Sequence, residues 1–138
     1  MKGIIGIVAG MLLVSSCSDA QVKTDNVGKK ETVISDISIV NKVVSAKEFN
    51  ELLKKDNIQI IDVRTPGEYV DGNIENSVNI DYFGENFKEE ITKLDKTKAT
   101  LIYCKSGGRS GKTAAMMKDM GFVEVYDLKG GYSGWPNK

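Results

Sequence analysis

The sequence of 138 residues contains no histidine, and this absence excludes several kinds of functional site at once. Ser-His-Asp and Cys-His catalysis both need an imidazole base, so neither can operate within this chain. Zinc sites built on imidazole are excluded for the same reason, and the two cysteines, Cys17 and Cys104, are too few for an all-thiolate zinc site. The sequence therefore predicts no metal site.

An excess of one charge is also missing, because 19 basic residues balance 19 acidic ones. A general nucleic-acid-binding protein has a basic excess that attracts phosphate groups, so we expect no nucleic acid as a partner. The composition, 41% hydrophobic and 28% charged, is typical of an ordinary globular protein, and the length suits one domain. We expect that domain to be a monomer.

The chain also lacks an apolar run of about 20 residues, the length that a membrane-spanning helix needs. A shorter apolar run occupies residues 3–14, behind Lys2, and leads into the letters VSSC, which end at Cys17. This pattern is typical of a secretory signal peptide, and its end resembles a bacterial lipobox. The resemblance implies that residues 1–16 are a lipoprotein signal peptide and that Cys17 is the lipidated N-terminus after cleavage. An ordinary signal peptide cut nearby and an uncleaved anchor are the alternatives.

Residues 17–37 are rich in Ser, Asp, Lys, Asn and Thr, which predicts a flexible tether between the lipid and a folded domain at residues 38–138. We therefore expect a lipoprotein of the bacterial cell envelope, anchored to a membrane and facing away from the cytoplasm. Cys104 is then the one thiol left without lipid, in a compartment that favours disulfides. It is either a buried structural cysteine or a reactive thiol.

From residue 43 onward, short apolar segments alternate with segments of helical periodicity. Ser45 and Thr65 each precede a glutamate by three positions, which predicts capping boxes at the start of two helices. This alternation predicts an α/β domain with a mainly parallel sheet and helices on both faces. The predicted strands are residues 43–44, 58–63, 77–80, 100–103 and 123–128, and further helices are predicted near residues 87–94 and 111–120.

The sequence CKSGGRS, residues 104–110, stands where a predicted strand meets a predicted helix. In such sheets ligands bind beyond the carboxyl ends of the strands. Gly107 and Gly108 allow the loop to curl so that its backbone N–H groups form an anion nest. The field of this nest lowers the pKa of a thiol at Cys104, and Lys105 and Arg109 add positive charge. The loop therefore predicts a nucleophilic cysteine that needs no histidine.

Three ordered motifs make the chain similar to the rhodanese family, single-domain type, over about residues 45–136. The motifs are Asp62-Val63-Arg64 with Glu68-Tyr69, Gly72-Asn73-Ile74 and Asn79-Ile80; the loop CKSGGRS; and Leu128-Lys129-Gly130-Gly131 with Trp135. The resemblance implies a rhodanese-like domain with a parallel sheet of about five strands and with Cys104 as the sulfur-carrying nucleophile. Asn73 stands where the family usually has histidine, and we expect activity to survive because this residue is not the nucleophile.

The remaining residues of the loop form the predicted surface for an anionic substrate. They are Lys105, Ser106, Gly107, Gly108, Arg109 and Ser110. Asp62 and Arg64 either pair only with their neighbours or support the loop of residues 104–110, the active loop, and the resemblance favours loop support. We interpret Glu68 as a helix cap rather than a catalytic acid, Trp135 as a core anchor and the glycine pair 130–131 as a turn.

Three functions fit this loop. In the first, a sulfurtransferase, the Cys104 thiolate takes sulfane sulfur from a small anionic donor such as thiosulfate and passes it to a thiol or cyanide, without a cofactor. The second is a phosphatase or arsenate reductase, which is disfavoured because such relatives have five residues between cysteine and arginine, whereas this loop has four. The third is a non-enzymatic binding module of the envelope. Lys105 directly after the cysteine resembles thiosulfate-using members more than mercaptopyruvate-using ones.

Overall fold

The computed structural model describes residues 38–138. The predicted signal peptide (residues 1–16), the predicted tether (residues 17–37) and the lipidation site Cys17 lie outside the described residues. Within residues 38–138, every helix is too short or too polar to cross a membrane.

Five parallel strands form one sheet, as the sequence predicts. The strands are β1 Val40–Val44, β2 Ile58–Asp62, β3 Val78–Asn79, β4 Ala99–Tyr103 and β5 Glu124–Leu128. Their order across the sheet is β1-β5-β4-β2-β3, so β4 is the central strand. Because all strands run in the same direction, their carboxyl ends meet at one edge, and the active loop leaves the sheet there from its middle.

The helices follow the predicted segments closely. They are α1 Ala46–Leu52, α2 Pro66–Val70, α3 Phe87–Thr92 and α4 Gly108–Asp119, with a short 3₁₀ helix at Tyr132–Gly134. Thr65 and Glu68 form the complete predicted capping box at the start of α2. The box predicted at Ser45 is only half formed and in that respect wrong. The Ser45 hydroxyl accepts the Glu48 N–H at 3.2 Å, but the Glu48 carboxylate pairs with Lys42 at 2.6 Å instead of reaching back.

The central strand contributes to hydrophobic cores on both faces of the sheet, because successive side chains of a strand point to opposite faces. Leu101 and Tyr103 belong to the core on the side of α1. Ile102 and Cys104 belong to the core that includes residues of α3 and α4. Helices therefore cover both faces, as predicted, and Cys104 begins its loop on the α4 side.

The C-terminal segment returns to the core on the α1 side. Trp135 is 4% exposed and packs its ring edge-on against Phe49, with ring centroids 5.7 Å apart. Buried aromatic pairs in this arrangement contribute stability beyond the area they bury. Trp135 thus fixes the segment after β5, which brings that segment back under the active loop.

Candidate active site

The active loop curls around the sulfur of Cys104. Cys104 directly follows β4 and is 1% exposed. Gly107 has a φ angle of +104°, in the left-handed region that favours glycine, and this turn points its N–H at the Cys104 Sγ at 3.1 Å. The helix α4 begins at the next residue, so the sulfur lies at the N-terminal end of a helix, where the dipole favours negative charge.

Hydrogen-bond donors around the sulfur lower the pKa of the Cys104 thiol. The Ser110 hydroxyl lies 3.4 Å from Sγ. Burial raises the pKa of Cys104, but hydrogen bonds from the Ser110 hydroxyl and from the backbone N–H groups of Ser110, Ser106 and Gly107 together lower it below its ordinary value. Because the thiolate is the nucleophilic form, this arrangement activates Cys104 without a base such as histidine.

Arg109 is held at the rim of the loop by Glu68. Its Nη1 lies 2.8 Å from Glu68 Oε2, and its Nη2 lies 3.0 Å from Oε1, so the pair is bidentate. The hydrogen bond from Arg109 outweighs the effect of burial and, with hydrogen bonds from Thr65, lowers the pKa of Glu68 to about 2. Glu68 therefore caps α2 as predicted and also fixes Arg109, a second role that the sequence analysis missed. Any anion that binds at Arg109 has to share it with this carboxylate.

Asp62 and Arg64 form a buried ion pair at the carboxyl end of β2. Asp62 is 0% exposed and Arg64 is 4% exposed, and Arg64 Nη2 lies 2.6 Å from Asp62 Oδ2. The same nitrogen donates to the Gly72 carbonyl at 2.6 Å, and the guanidinium carbon lies 4.2 Å from the centre of the Tyr132 ring. The pair is thus connected to the segment after β5, beyond its immediate neighbours.

That segment is hydrogen-bonded to the backbone of the active loop. The Tyr132 N–H donates to the Cys104 carbonyl at 2.7 Å, and the Ser133 N–H donates to the Lys105 carbonyl at 2.9 Å. Contacts therefore run from Arg64 through Tyr132 to Cys104. The sequence analysis interpreted Gly130 and Gly131 only as a turn. Their position two to three residues after β5, a strand that neighbours β4, is the signal that could have indicated this contact.

A cavity of about 280 Å³ opens beside the loop. Its lining includes the cations Lys105, Arg64 and Lys138, together with the carboxylates Glu68 and Asp71. Ser106 and Gly108, the other predicted substrate-binding residues of the loop, are exposed. The surroundings of the loop therefore have a small excess of positive charge, which suits a small anion. Among residues 38–138, no three His, Cys, Asp or Glu side chains are grouped so as to hold a metal ion.

Asn73, at the position where the resembled family usually has histidine, makes a local hydrogen bond. Its side-chain nitrogen donates to the Tyr69 carbonyl of α2 at 3.2 Å, and its side chain is exposed. Among the described residues, this is the one hydrogen bond of the Asn73 side chain. Asn73 thus acts on the end of α2, and the donors around the Cys104 sulfur come from the active loop itself.

Comparisons with known proteins find a matching family and similar chains. The model of the family described as the rhodanese-like domain matches residues 45–138. The thiosulfate sulfurtransferase GlpE of Coxiella burnetii is 37% identical over 94 residues, which cover 68% of this chain and 86% of that protein. The tRNA uridine(34) hydroxylase of Pelagibacter ubique is 34% identical over 109 residues, but this chain spans only 36% of its length.

The fold also agrees with a solved structure. The crystal structure of a rhodanese-related protein from Thermoplasma volcanium is similar with a TM-score of 0.61 and 28% sequence identity. The similarity covers 68% of this chain and 89% of that protein.

Proposed function

This chain belongs to the rhodanese-like domain family, and on that premise we propose that it is a sulfurtransferase that uses thiosulfate or a similar small anionic donor of sulfane sulfur. The observation that carries the proposal is the placement of the Cys104 sulfur among the Gly107 N–H at 3.1 Å, the Ser110 hydroxyl at 3.4 Å and further backbone donors. The similarity to a thiosulfate sulfurtransferase supports the same reaction.

In the first half-reaction, the Cys104 thiolate attacks the outer sulfur of thiosulfate. A new S–S bond forms at Cys104, the S–S bond of thiosulfate breaks, and sulfite leaves with the electron pair of that bond. The product is a persulfide whose terminal sulfur carries the negative charge. The backbone N–H groups of the loop can stabilise this charge as an oxyanion hole stabilises an oxyanion.

In the second half-reaction, an acceptor nucleophile attacks the terminal sulfur of the persulfide. Cyanide forms thiocyanate, and a thiolate forms a new persulfide, while the electron pair of the cleaved S–S bond returns to Cys104 as thiolate. The donors that lower the pKa of the Cys104 thiol also make this thiolate a better leaving group. Both half-reactions therefore use the same loop.

The size of the loop favours sulfur over phosphate or arsenate. Four residues separate Cys104 from Arg109, and the Gly107 N–H already points at the sulfur. The arginine that would face a tetrahedral oxyanion is instead paired with Glu68 through two hydrogen bonds of 2.8 and 3.0 Å. A single sulfur atom added to Cys104 takes up less space than a phosphate group, and its negative charge is confined to one atom. It therefore suits this loop better.

We expect the full chain to take up one sulfur atom from thiosulfate and to release it to cyanide as thiocyanate, with no more than trace hydrolysis of an aryl phosphate. Intact-mass measurement follows the added sulfur, a colorimetric assay follows thiocyanate, and released phenolate follows phosphatase activity. Phosphatase turnover equal to the sulfur transfer would contradict the assignment. If neither thiosulfate, mercaptopyruvate nor a polysulfide adds sulfur, the chain is better interpreted as a binding module.

The proposal includes a lipid anchor at Cys17 in the bacterial cell envelope, supported by the apolar run that ends in VSSC. We expect a fatty-acid probe fed to expressing bacteria to label the wild-type chain and to leave Cys17→Ala unlabelled. The matched control is Cys104→Ala, which removes the other cysteine and should keep the label. An unlabelled wild-type chain would refute the anchor without affecting the assignment of the domain.

A further inference from the structure

A buried carboxyl group lies under the active loop and has no part in the steps above. Asp127 is near the end of β5, which neighbours β4, so both strands bring their carboxyl ends to the same edge. Asp127 is 4% exposed, and within residues 38–138 its Oδ1 has no hydrogen-bond partner. Its Oδ2 lies 3.6 Å from the point where a Cβ on Gly111 would stand, so the carboxyl group contacts the first turn of α4. Buried polar atoms are rarely left unpaired, which makes this group a candidate for a specific role.

The Ser110 hydroxyl connects this carboxyl group to the nucleophile. Ser110 is fully buried, and its Oγ lies 3.4 Å from the Cys104 Sγ. Asp127 Oδ2 lies beside Gly111, the residue that follows Ser110. Burial raises the pKa of Asp127 to about 6, and an interaction with the nearby Ser110 hydroxyl opposes this rise. A serine hydroxyl has one proton to donate and can accept others, so Ser110 can donate to the sulfur or to the carboxylate, but not to both.

The neighbours of Asp127 on the two adjoining strands are apolar. The residues opposite it in the sheet are Val43 on β1 and Ile102 on β4. Burial raises its pKa, and the Ser110 hydroxyl opposes this rise. The titratable group connected to Asp127 through α4 is therefore the Cys104 thiol.

The charged residues of the first turns of α4 do not compete for this role. Arg109 is paired with Glu68, and Lys112 is exposed. The chain has no histidine that could take a proton from the thiol. The buried polar groups on this side of the sulfur are thus the Ser110 hydroxyl and the Asp127 carboxyl group near the first turn of α4.

We propose that Asp127 is a positioning residue for the nucleophile, which acts through Ser110 and holds the proton that the Cys104 thiol gives up. The S–H bond breaks as a bond from that proton to Ser110 Oγ forms, and the former Ser110 proton passes to the Asp127 carboxylate. No net charge leaves the site. The resulting carboxylic acid donates to Ser110, and Ser110 donates to the thiolate. The inference rests on the proposed function in that Cys104 is taken as the nucleophile.

This arrangement couples the titrations of the two groups. When one negative charge is shared between thiol and carboxyl, the pair ionises in two macroscopic steps, and a fraction of thiolate is already present between them. Asp127→Asn keeps the shape of the side chain but cannot take a proton. Its amide donates to Ser110, and the thiolate no longer faces a carboxylate, so the second ionisation becomes easier.

The test is the pH profile of Cys104 alkylation by iodoacetamide, measured on the full chain with Cys17→Ser in every variant so that Cys104 is the one thiol. In the parent protein, which carries Cys17→Ser and retains Asp127, we expect the alkylation rate to rise with pH in two steps. The lower step should lie near the Asp127 pKa of about 6. Asp127→Asn should show a single step, with its midpoint about one pH unit below the upper step of its parent. Identical profiles for the two proteins would overturn the proposal.

Two further variants separate this role from a structural one. Ser110→Ala removes the connection, so it should reduce the profile to one step. If Asp127→Asn does not fold, Ser110→Ala alone decides, because a retained two-step profile contradicts the connection. Asp119→Asn removes a charge from the exposed end of α4 and should keep both steps. Alkylation needs no sulfur donor, so a failure of sulfur transfer would refute the proposed function without obscuring this result.

Discussion

Replacing Cys104 with serine is expected to abolish sulfur loading and thiocyanate formation, lowering turnover by about 10³-fold or more, as removal of a covalent nucleophile does in other enzymes. The physical reason is the hydroxyl, which has no appreciable anion at neutral pH even when several N–H groups face it, whereas the thiol has a pKa below its ordinary value. Intact mass after incubation with thiosulfate is the direct measurement, because it reports the persulfide itself.

The fold should survive this change. Serine is smaller than cysteine, and its oxygen can accept the Gly107 N–H that now points at Sγ at 3.1 Å. The matched control is Cys17→Ser, which removes the other cysteine and lies outside the described domain. It should load one sulfur as the wild type does. Sulfur retained on Cys104→Ser, or lost from Cys17→Ser, would show that Cys104 is not the sulfur carrier.

Local sequence signals predicted the parts of the site that depend on neighbouring residues. Cys104, Gly107 and the start of α4 within three residues all follow from a strand, a glycine turn and a helix in sequence. The capping box of Thr65 and Glu68 is equally local. These features are predictable because the atoms involved are separated by only a few backbone bonds, so sequence spacing alone determines their geometry.

The contacts that join distant segments were not predictable in the same way. Arg109 and Glu68 are 41 positions apart, and their pairing depends on the order of the strands between them. The capping box alone explains a glutamate at position 68, so the sequence gives no sign that Glu68 also pairs with Arg109. Asp127 is similar, because a lone aspartate near a strand end suggests nothing until β5 is known to neighbour β4.

A further feature that spacing could not reveal is the close approach of Gly131 to the active loop. Its φ angle is +58°, and a Cβ at this position would lie 2.5 Å from the Cys104 carbonyl oxygen and 2.6 Å from the Lys105 carbonyl oxygen. Carbon and oxygen atoms that are not bonded do not approach so closely, and both contacts are with backbone. A side chain here would have to push the loop away from the segment that holds it.

We expect Gly131→Ala to be among the most damaging single substitutions in the domain. Backbone strain alone should cost about 1–3 kcal/mol, and the clash adds to it. Because the displaced atoms belong to Cys104 and Lys105, turnover should fall by about 10²-fold even where the protein remains folded, as expected for a misplacement of about 1 Å in a reacting group. Denaturant unfolding measures the first effect and the thiosulfate–cyanide assay the second.

The adjacent glycine provides the control that separates strain from clash. Gly130 has a φ angle of +77°, also in the left-handed region, but a Cβ there would meet no atom within 4 Å. Gly130→Ala should therefore lower the free energy of unfolding only by the cost of a left-handed residue, about 1–2 kcal/mol, and should leave turnover unchanged. Equal losses of turnover in the two variants would show that conformational strain, and not contact with the active loop, explains the need for glycine at position 131. A larger loss at Gly131 would mean that the segment after β5 sets the position of the nucleophile.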